Sequence, residues 1–294
     1  MCGGPILYVV LPYFNYCESK KRRTLFLDFV RRTRSPWIRM VVVECGRDLP
    51  CFLPVWKHYR IRETSPVWIK ENLVNFGVSK LPQDWQYVAW IDADLTFLNK
   101  AWVQETVQEL ATADVVQLFQ TAVNLGPNEE AQKIDKGFAH MYLSGTPYSA
   151  TDKYGHWHPG YAWACTRAAW NRFGKLTEWA ILGSADRHFA MALIGKVQQS
   201  CPGTIHPNYK ALLEDFQTRC SGLKLSCISG SILHHWHGDL KNRQYRERWL
   251  VLTKNRYDPL TDVGLDKHGI IHLTEKGFRL EQPLIKYFID RKED

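Results

Sequence analysis

Residues 87–99 read YVAWIDADLTFLN, and this stretch decides both the fold class and the first candidate site. Its first five residues form a short apolar run, which predicts a buried strand over 87–91. The strand leads directly into Asp92 and Asp94, whose side chains point to the same side of an extended chain because they are two residues apart. Paired carboxylates repel each other unless a cation lies beside them, and Mg²⁺ and Mn²⁺ prefer oxygen ligands of this kind. The stretch therefore predicts a divalent-metal site at a strand end, with a solvated turn as the alternative.

Strand and helix patterns alternate around this stretch. Because strands separated by helices form a mostly parallel sheet covered on both faces, the pattern predicts an α/β fold. Ligands bind such sheets at the carboxyl ends of the strands, where Asn15 and Glu44 also lie. The strands are predicted over 6–10, 40–43, 87–91 and 115–119, and helices over 24–34, 68–76 and 167–173.

Composition bounds the class of protein. The chain has 294 residues, 45% hydrophobic and 23% charged, which excludes a disordered, collagenous or coiled-coil protein. We predict one domain over 1–250 with an extension, 251–294, packed on it. The net charge of +8 suits anionic substrates or polyanions. No apolar run is long enough to span a membrane, the first residues lack the features of a signal peptide, and the eight cysteines show no paired spacing, so we predict a reducing, cytoplasmic location.

A second candidate site lies near residue 235. Three histidines, His234, His235 and His237, precede Gly238, and together they predict a further metal ligand. The sequence leaves open which of them binds the ion. The basic residues that follow either neutralise a diphosphate or form a solvated helix face: Arg243, Arg246 and Arg248.

Between the two metal candidates lies a segment typical of a cleft wall. Gly160 precedes an aromatic-rich strand, and Ser184 is a good N-cap for a helix that carries Asp186 in its first turn. The helix dipole favours an ionised carboxylate at that position, so Asp186 is a candidate general base, or else a surface residue that compensates the dipole.

Taken in order, these motifs resemble those of nucleotide-sugar-dependent glycosyltransferases of the GT-A fold. The strand followed by Asp92-Ala93-Asp94 resembles their metal motif, and His234-x-x-His237-Gly238 resembles their late metal-ligating histidine. The resemblance covers roughly residues 5–250. The stretch HGDLKNRQYRER and the ending YFIDRKED also resemble uncharacterised transferases of phages and large DNA viruses, which would place the protein in a host cytoplasm.

The resemblance implies a site with four parts. Asp186 would act as the base, and Mn²⁺ or Mg²⁺ would be held by Asp92, Asp94, His237 and His235. The nucleotide sugar would be bound by Pro12, Asn15, Glu44, Lys70, Asp92, Ala93, Gly160, Tyr161 and Arg243. The acceptor would contact Trp157, Trp163 and Arg187.

The activity implied is transfer of a sugar, from a UDP-sugar by preference, to a hydroxyl acceptor with inversion. His235-x-x-Gly238-x-x-Lys241 also fits the signature of a retaining family, so the stereochemistry stays open. A glycan or glycoprotein is the favoured acceptor, and DNA carrying hydroxymethylated pyrimidines is the alternative. Two further alternatives are a metal-dependent phosphoryl or nucleotidyl transferase and a non-catalytic, basic nucleic-acid-binding protein, which Asp94→Ala would not impair.

Overall fold

A seven-stranded sheet forms the centre of the computed structural model, which describes residues 5–62, 65–148 and 157–294. Its strand order is β10-β6-β9-β4-β1-β2-β3. Strand β9 runs antiparallel to both of its neighbours, and all other adjacent strands pair in parallel. The strands of this sheet are β1 (Leu7–Phe14), β2 (Ile38–Cys45), β3 (Lys57–Ile61), β4 (Tyr87–Ile91), β6 (Val115–Gln117), β9 (Ala162–Thr166) and β10 (Leu225–Cys227).

Two smaller sheets complete the strands of the described residues. One has the order β5-β11-β7-β8, and the other is a hairpin of β12 with β13. Their strands are β5 (Leu95–Phe97), β7 (Thr121–Leu125), β8 (Ala131–Lys136), β11 (Ser231–His234), β12 (Val263–Leu265) and β13 (Ile271–Leu273).

Helices cover both faces of the central sheet, so the predicted fold class, a mostly parallel α/β sheet flanked by helices, is confirmed. Within the described ranges the α-helices are α1 (Lys20–Arg32), α2 (Lys70–Ser79), α3 (Trp102–Glu109), α4 (Phe138–Leu143), α5 (Arg167–Phe173), α6 (Ala185–Leu193), α7 (Pro207–Cys220), α8 (Trp249–Lys254) and α9 (Glu281–Asp290). None of these helices is long and apolar enough to cross a membrane.

Strand β1 runs through Pro12, where the sequence predicted an end. Proline lacks the N–H that a strand neighbour on both sides would require. Here β4 pairs with β1 only as far as Val10, whereas β2 continues alongside it to Phe14. Pro12 therefore lies where β1 has a partner on one side only, and the strand carries on to the edge of the candidate site.

Helix α2 also continues past its predicted end at Gly77. A Cβ atom on Gly77 would lie 2.6 Å from Cγ1 of Val10 on β1. The glycine is therefore a point of close approach between helix and sheet rather than a helix end. This close packing fixes the start of α2, which carries Lys70, against the central sheet.

The C-terminal residues pack into the same core as the central sheet. Leu284, Tyr287 and Phe288 of α9 belong to the buried cluster that includes Val10 and Trp90. The chain beyond residue 250 therefore shares this core instead of forming one of its own. The domain boundary at residue 250 stays a prediction.

Candidate functional site

The candidate site lies where β1 and β4 end and where the small four-stranded sheet meets the central one. Asp92 follows β4 directly, and its backbone N–H donates to the carbonyl of Tyr161 at 2.8 Å. Strand β11 pairs antiparallel with β5, which places His234 opposite Leu95, one residue after Asp94. The two motifs that the sequence separates by about 140 residues therefore meet at one sheet edge.

Three residues form a candidate metal centre: Asp94, His234 and His237. One ligand atom from each lies within 4.8 Å of the other two. Nε2 of His237 is 2.8 Å from Oδ2 of Asp94, and Nε2 of His234 is 3.6 Å from the same oxygen. Both imidazoles are buried. The arrangement offers one carboxylate oxygen and two imidazole nitrogens to a single ion.

The donor atoms of Asp94 suit a cation. Its Oδ1 is buried and has no hydrogen-bond partner among the described residues. Burial opposes ionisation of this carboxyl, but the neighbouring imidazoles of His234 and His237 hold its pKa well below the usual range. An ionised, buried oxygen without a donor is costly, and a bound divalent ion would satisfy it. The three residues together offer a divalent cation both oxygen and imidazole nitrogen ligands.

Lys70 joins the two other carboxylates of the site. Its Nζ lies 2.7 Å from Oδ1 of Asp92 and 3.2 Å from Oδ2 of Asp186. Burial opposes the charge of this lysine, yet Asp186 and Asp92 raise its pKa. Burial also raises the pKa of Asp92 to about 6, against the lowering effect of Lys70. Asp92, which was predicted to be a metal ligand, therefore pairs with Lys70 and lies outside the three-residue centre.

Asp186 is held at the start of α6 by an unusual turn. Ser184, the residue before the helix, has a left-handed φ of 76°, and its hydroxyl accepts from Nη2 of Arg248 at 2.6 Å. A Cβ atom added to Gly160 would lie 3.3 Å from Oδ2 of Asp186. The absence of a side chain at residue 160 therefore leaves Asp186 in contact with Lys70 and 30% exposed.

One cavity is lined by most of the residues predicted for the nucleotide sugar and the metal, and also by residues that were not predicted. The predicted residues on its wall are Pro12, Lys70, Asp92, Ala93, Asp94, Tyr161, His237 and Arg243. The residues not predicted include Arg22, Trp68, His234 and Arg291. His234 was within reach of the sequence, because it belongs to the histidine cluster. Arg22 and Arg291 carry no signal of their own, since surface arginines abound in this chain.

The cavity is rich in cations. Arg243 lies beside the metal candidates, with Nη2 2.9 Å from Nε2 of His237. Arg291 is buried and its guanidinium lies 5.1 Å from the ring centre of Trp68. Together with Arg22 and Lys70, these groups place four positive charges around one carboxylate-lined space, an arrangement suited to a diphosphate.

Three residues predicted for the nucleotide sugar do not line the cavity, and two of them, Asn15 and Glu44, make structural contacts. The buried carboxylate of Glu44 accepts from the backbone N–H of Leu49 at 2.7 Å and from Arg60 at 3.0 Å. Asn15 donates to Asp48 at 2.9 Å and accepts from the backbone N–H of Ser19 at 3.0 Å. The structure does not bring either side chain onto the cavity wall.

The three predicted acceptor residues are likewise occupied elsewhere. Trp157 and Trp163 are buried, and Nε1 of Trp163 donates to the carbonyl of Pro159 at 2.8 Å. Arg187 donates to the hydroxyl of Tyr148 at 3.0 Å. Both tryptophan rings are packed in the core, so neither offers a free surface to an acceptor. Gly160, which was predicted to bind the nucleotide sugar, lies beside Asp186 and is not among the residues that line the cavity.

His235 lies outside the metal centre. Its Nε2 is 2.8 Å from the hydroxyl of Thr96, and its backbone N–H donates to the carbonyl of Asp94. Successive side chains of a strand point to opposite faces of the sheet. His234, the last residue of β11, takes the position toward Asp94, so His235 points away from it.

No protein-family model matches this chain, and no curated protein matches it. Among solved structures, it is similar to the catalytic domain of Drosophila beta1,4-galactosyltransferase 7 in complex with xylobiose (TM-score 0.44, 12% identity, covering 92% of this chain and 95% of that one). It is similar to the mannosyltransferase PcManGT from Pyrobaculum calidifontis in complex with GDP-Man and Mn²⁺ (TM-score 0.48, 14% identity, covering 86% of this chain and 64% of that one). It is also similar to S. aureus TarS 1-349 in complex with UDP-GlcNAc (TM-score 0.46, 11% identity, covering 80% of this chain and 59% of that one).

The chain thus spans less than two thirds of the mannosyltransferase and TarS chains. Similarities of this strength do not by themselves assign an activity. They also do not test the likeness to phage and viral transferases, which stays a prediction.

Proposed function

We propose that the protein is a metal-dependent glycosyltransferase of the GT-A type that moves a sugar from a nucleotide sugar to a hydroxyl acceptor. The observation that carries the proposal is the centre of Asp94, His234 and His237 at the end of β4, beside Lys70, Arg22, Arg243 and Arg291. A divalent ion next to clustered cations suits a leaving diphosphate, whose charge grows as the glycosidic bond breaks.

Mn²⁺ would be held by Asp94, His234 and His237, and it would supply charge stabilisation to the diphosphate. Arg22, Arg243 and Arg291 would bind the remaining phosphate oxygens. The nucleoside would lie against the aromatic part of the cavity formed by Tyr13, Phe14 and Trp68. UDP is the proposed carrier, from the resemblance of the motifs.

The proposed base is Asp186, with inversion at the anomeric carbon. Its carboxylate is 30% exposed and lies beside the cavity through its contact with Lys70. Lys70 would hold the carboxylate of Asp186 in place until the acceptor hydroxyl approaches, through the ion pair at 3.2 Å. A glycan or glycoprotein is the proposed acceptor class.

The test is a panel of nucleotide sugars incubated with the protein and Mn²⁺, with saccharides or hydroxymethylated duplex DNA as acceptors. We expect release of a free nucleoside diphosphate and labelled sugar on a saccharide, with the opposite anomeric configuration by NMR. Asp94→Asn should abolish release, and Asp186→Asn should abolish transfer while donor binding remains. Release of phosphate or pyrophosphate would indicate phosphoryl or nucleotidyl transfer instead, and label on DNA alone would overturn the acceptor proposal.

A further inference from the structure

A buried hydrogen-bond chain lies behind the metal centre, and neither the motifs nor the proposed reaction accounts for it. Asn124 of β7 lies opposite His234 of β11 in the parallel pairing of those strands. Its Oδ1 lies 3.0 Å from Nδ1 of His234 and 2.6 Å from the hydroxyl of Tyr161. Its Nδ2 donates to Oδ2 of Asp135 on β8 at 2.8 Å. All four side chains are less than a tenth exposed.

Asp135 decides which way the amide of Asn124 points. A carboxylate accepts hydrogen bonds and cannot donate when ionised, so the group facing it must be the amide nitrogen. Turning the amide around would place a carbonyl oxygen 2.8 Å from the carboxylate and bury that repulsion. The other oxygen of Asp135, Oδ1, lies 2.7 Å from Nζ of Lys133, which also can only donate. The carbonyl oxygen of Asn124 therefore faces Tyr161 and His234.

That orientation fixes the ring of His234. An amide oxygen only accepts, so Nδ1 of His234 is the nitrogen that carries the hydrogen. In the neutral ring, Nε2 is then left with its lone pair, and this atom lies 3.6 Å from Oδ2 of Asp94. Two electron-rich atoms facing each other in a buried place favour a cation between them.

We propose that Asn124 is a positioning residue for the metal centre, with Asp135 fixing its amide, and that together they hold His234 in the Nδ1–H form with Nε2 aimed at the ion. The inference rests on the proposed metal site and deepens it. Residues that orient metal-ligating histidines typically contribute 10- to 100-fold in metal affinity.

The first experiment needs no metal. Long-range ¹H–¹⁵N NMR of the metal-free protein, with His234 assigned by comparison with His234→Gln, distinguishes the two neutral ring forms. We expect a protonated Nδ1 and an unprotonated Nε2. A protonated Nε2 in the neutral ring overturns the inference, whatever the protein binds.

The second experiment measures Mn²⁺ affinity by isothermal titration calorimetry. Asn124→Leu keeps the volume but removes the acceptor, and we expect affinity to fall about 10- to 100-fold. Exchanging the two partners, as Asn124→Asp with Asp135→Asn, returns an acceptor to residue 124 that is paired with an amide at 135, and it should restore most of the affinity. Asn75→Leu is the matched control, because Asn75 is equally buried but contacts Leu176 and Glu178 far from the centre.

The outcomes separate the two proposals. A wild-type protein that binds no Mn²⁺ contradicts the proposed metal site and overturns the positioning role with it, whichever ring form the NMR shows. A wild-type protein that binds Mn²⁺ with unchanged affinity in folded Asn124→Leu overturns the inference and leaves the proposed function intact. Equal losses in Asn124→Leu and Asn75→Leu would also overturn it, since the effect would then be general destabilisation.

Discussion

Asp94 is the residue on which the proposed chemistry most depends. We expect Asp94→Asn to abolish activity and to remove the rise in melting temperature caused by Mn²⁺ with UDP, because a ligand stabilises a protein only by binding its native state. The amide has nearly the same volume as the carboxylate, so the fold should persist, as circular dichroism would show. Full turnover by wild-type protein in excess chelator would contradict the metal requirement.

The three histidines should differ in their effect on the metal. Nε2 of His237 is closer to Asp94 than Nε2 of His234 is, so we expect His237→Ala to weaken Mn²⁺ binding more than His234→Ala. His235→Ala serves as the control, because its ring contacts Thr96 instead. Mn²⁺ titrations of the three variants measure the order, and a larger loss in His235→Ala would return that residue to the ligand set.

At the scale of elements, the packing of α2 on β1 gives a prediction that opposes helix propensity. Alanine favours an exposed helix interior over glycine by about 1 kcal/mol. At residue 77, however, the new methyl group would press on Val10, and overpacking a core typically costs about 1–3 kcal/mol. We expect Gly77→Ala to lower the free energy of unfolding measured with urea.

The companion variant Val10→Ala makes this prediction specific. Removing the methyl groups of Val10 opens space for the new side chain, so the double variant should lose less stability than the sum of the two single variants. A stabilised Gly77→Ala protein would mean that α2 moves away from β1 without cost.

The elements differ in how far the sequence could define them. Helix α5 lies where the sequence predicted it, over 167–173, because its apolar spacing and the glycine that follows are local signals. The extra residues of β1 beyond Pro12 depend on which neighbour the strand has, which no local pattern records. Glu44 shows the same limit within the site. It lies inside β2 rather than after it, and its buried partners on β3 came from strand pairing.

The sequence predicted part of the metal centre from local motifs, but it did not identify every residue of the site. Asp94 and the histidine cluster stand out in sequence because of their spacing. Which histidine faces Asp94 depends on the register of β11 against β5. The roles of Arg22 and Arg291 depend on the contact between α1 and the C-terminal residues. Long-range geometry therefore determines the part of the site that the motifs leave open.

At the scale of the whole molecule, the buried His188 predicts loss of stability in acid. Its ring contacts the hydroxyls of Ser200 and Tyr209, each at 2.7 Å. Burial, with the charges of Arg187 and Arg248, lowers its pKa from 6.5 to about 3. As the pH falls below about 6.5, the unfolded chain binds a proton that the native protein excludes, so the free energy of unfolding falls until about pH 3.

Between pH 7 and pH 5 this contribution is about 2 kcal/mol. We expect His188→Gln to reduce the acid dependence of urea unfolding by that amount, measured without metal. His268→Gln, at an exposed site, should keep the wild-type dependence. An identical acid dependence in His188→Gln and wild-type protein would contradict the prediction.

The C-terminal residues contact helix α1 beside the cavity through Glu293. Its buried carboxylate accepts from Nη1 of Arg22 at 2.7 Å and from Nε of Arg291 at 2.9 Å. Beside it, the side chain of Asp294 accepts from the backbone N–H of Lys21 at the start of α1. Burial opposes the charge of Glu293, but Arg22 and Arg291 hold its pKa below the usual range. The carboxylate thus orients two of the arginines proposed to bind diphosphate.

Breaking a buried ion pair from one side typically costs about 3–5 kcal/mol, because the remaining charges stay buried without a partner. We therefore expect Glu293→Gln to lower the free energy of unfolding by about 3 kcal/mol and to weaken UDP binding in the presence of Mn²⁺, since Arg22 and Arg291 lose the group that holds them in place. The matched control is Lys286→Ala in α9, which removes an exposed pair with Asp290 and should cost less than about 1 kcal/mol without altering UDP affinity. Urea unfolding and calorimetric titration with UDP measure both effects. Equal stabilities of the two variants would mean that the arginines hold their positions without Glu293, and that the end of the chain lies beside the cavity without shaping it.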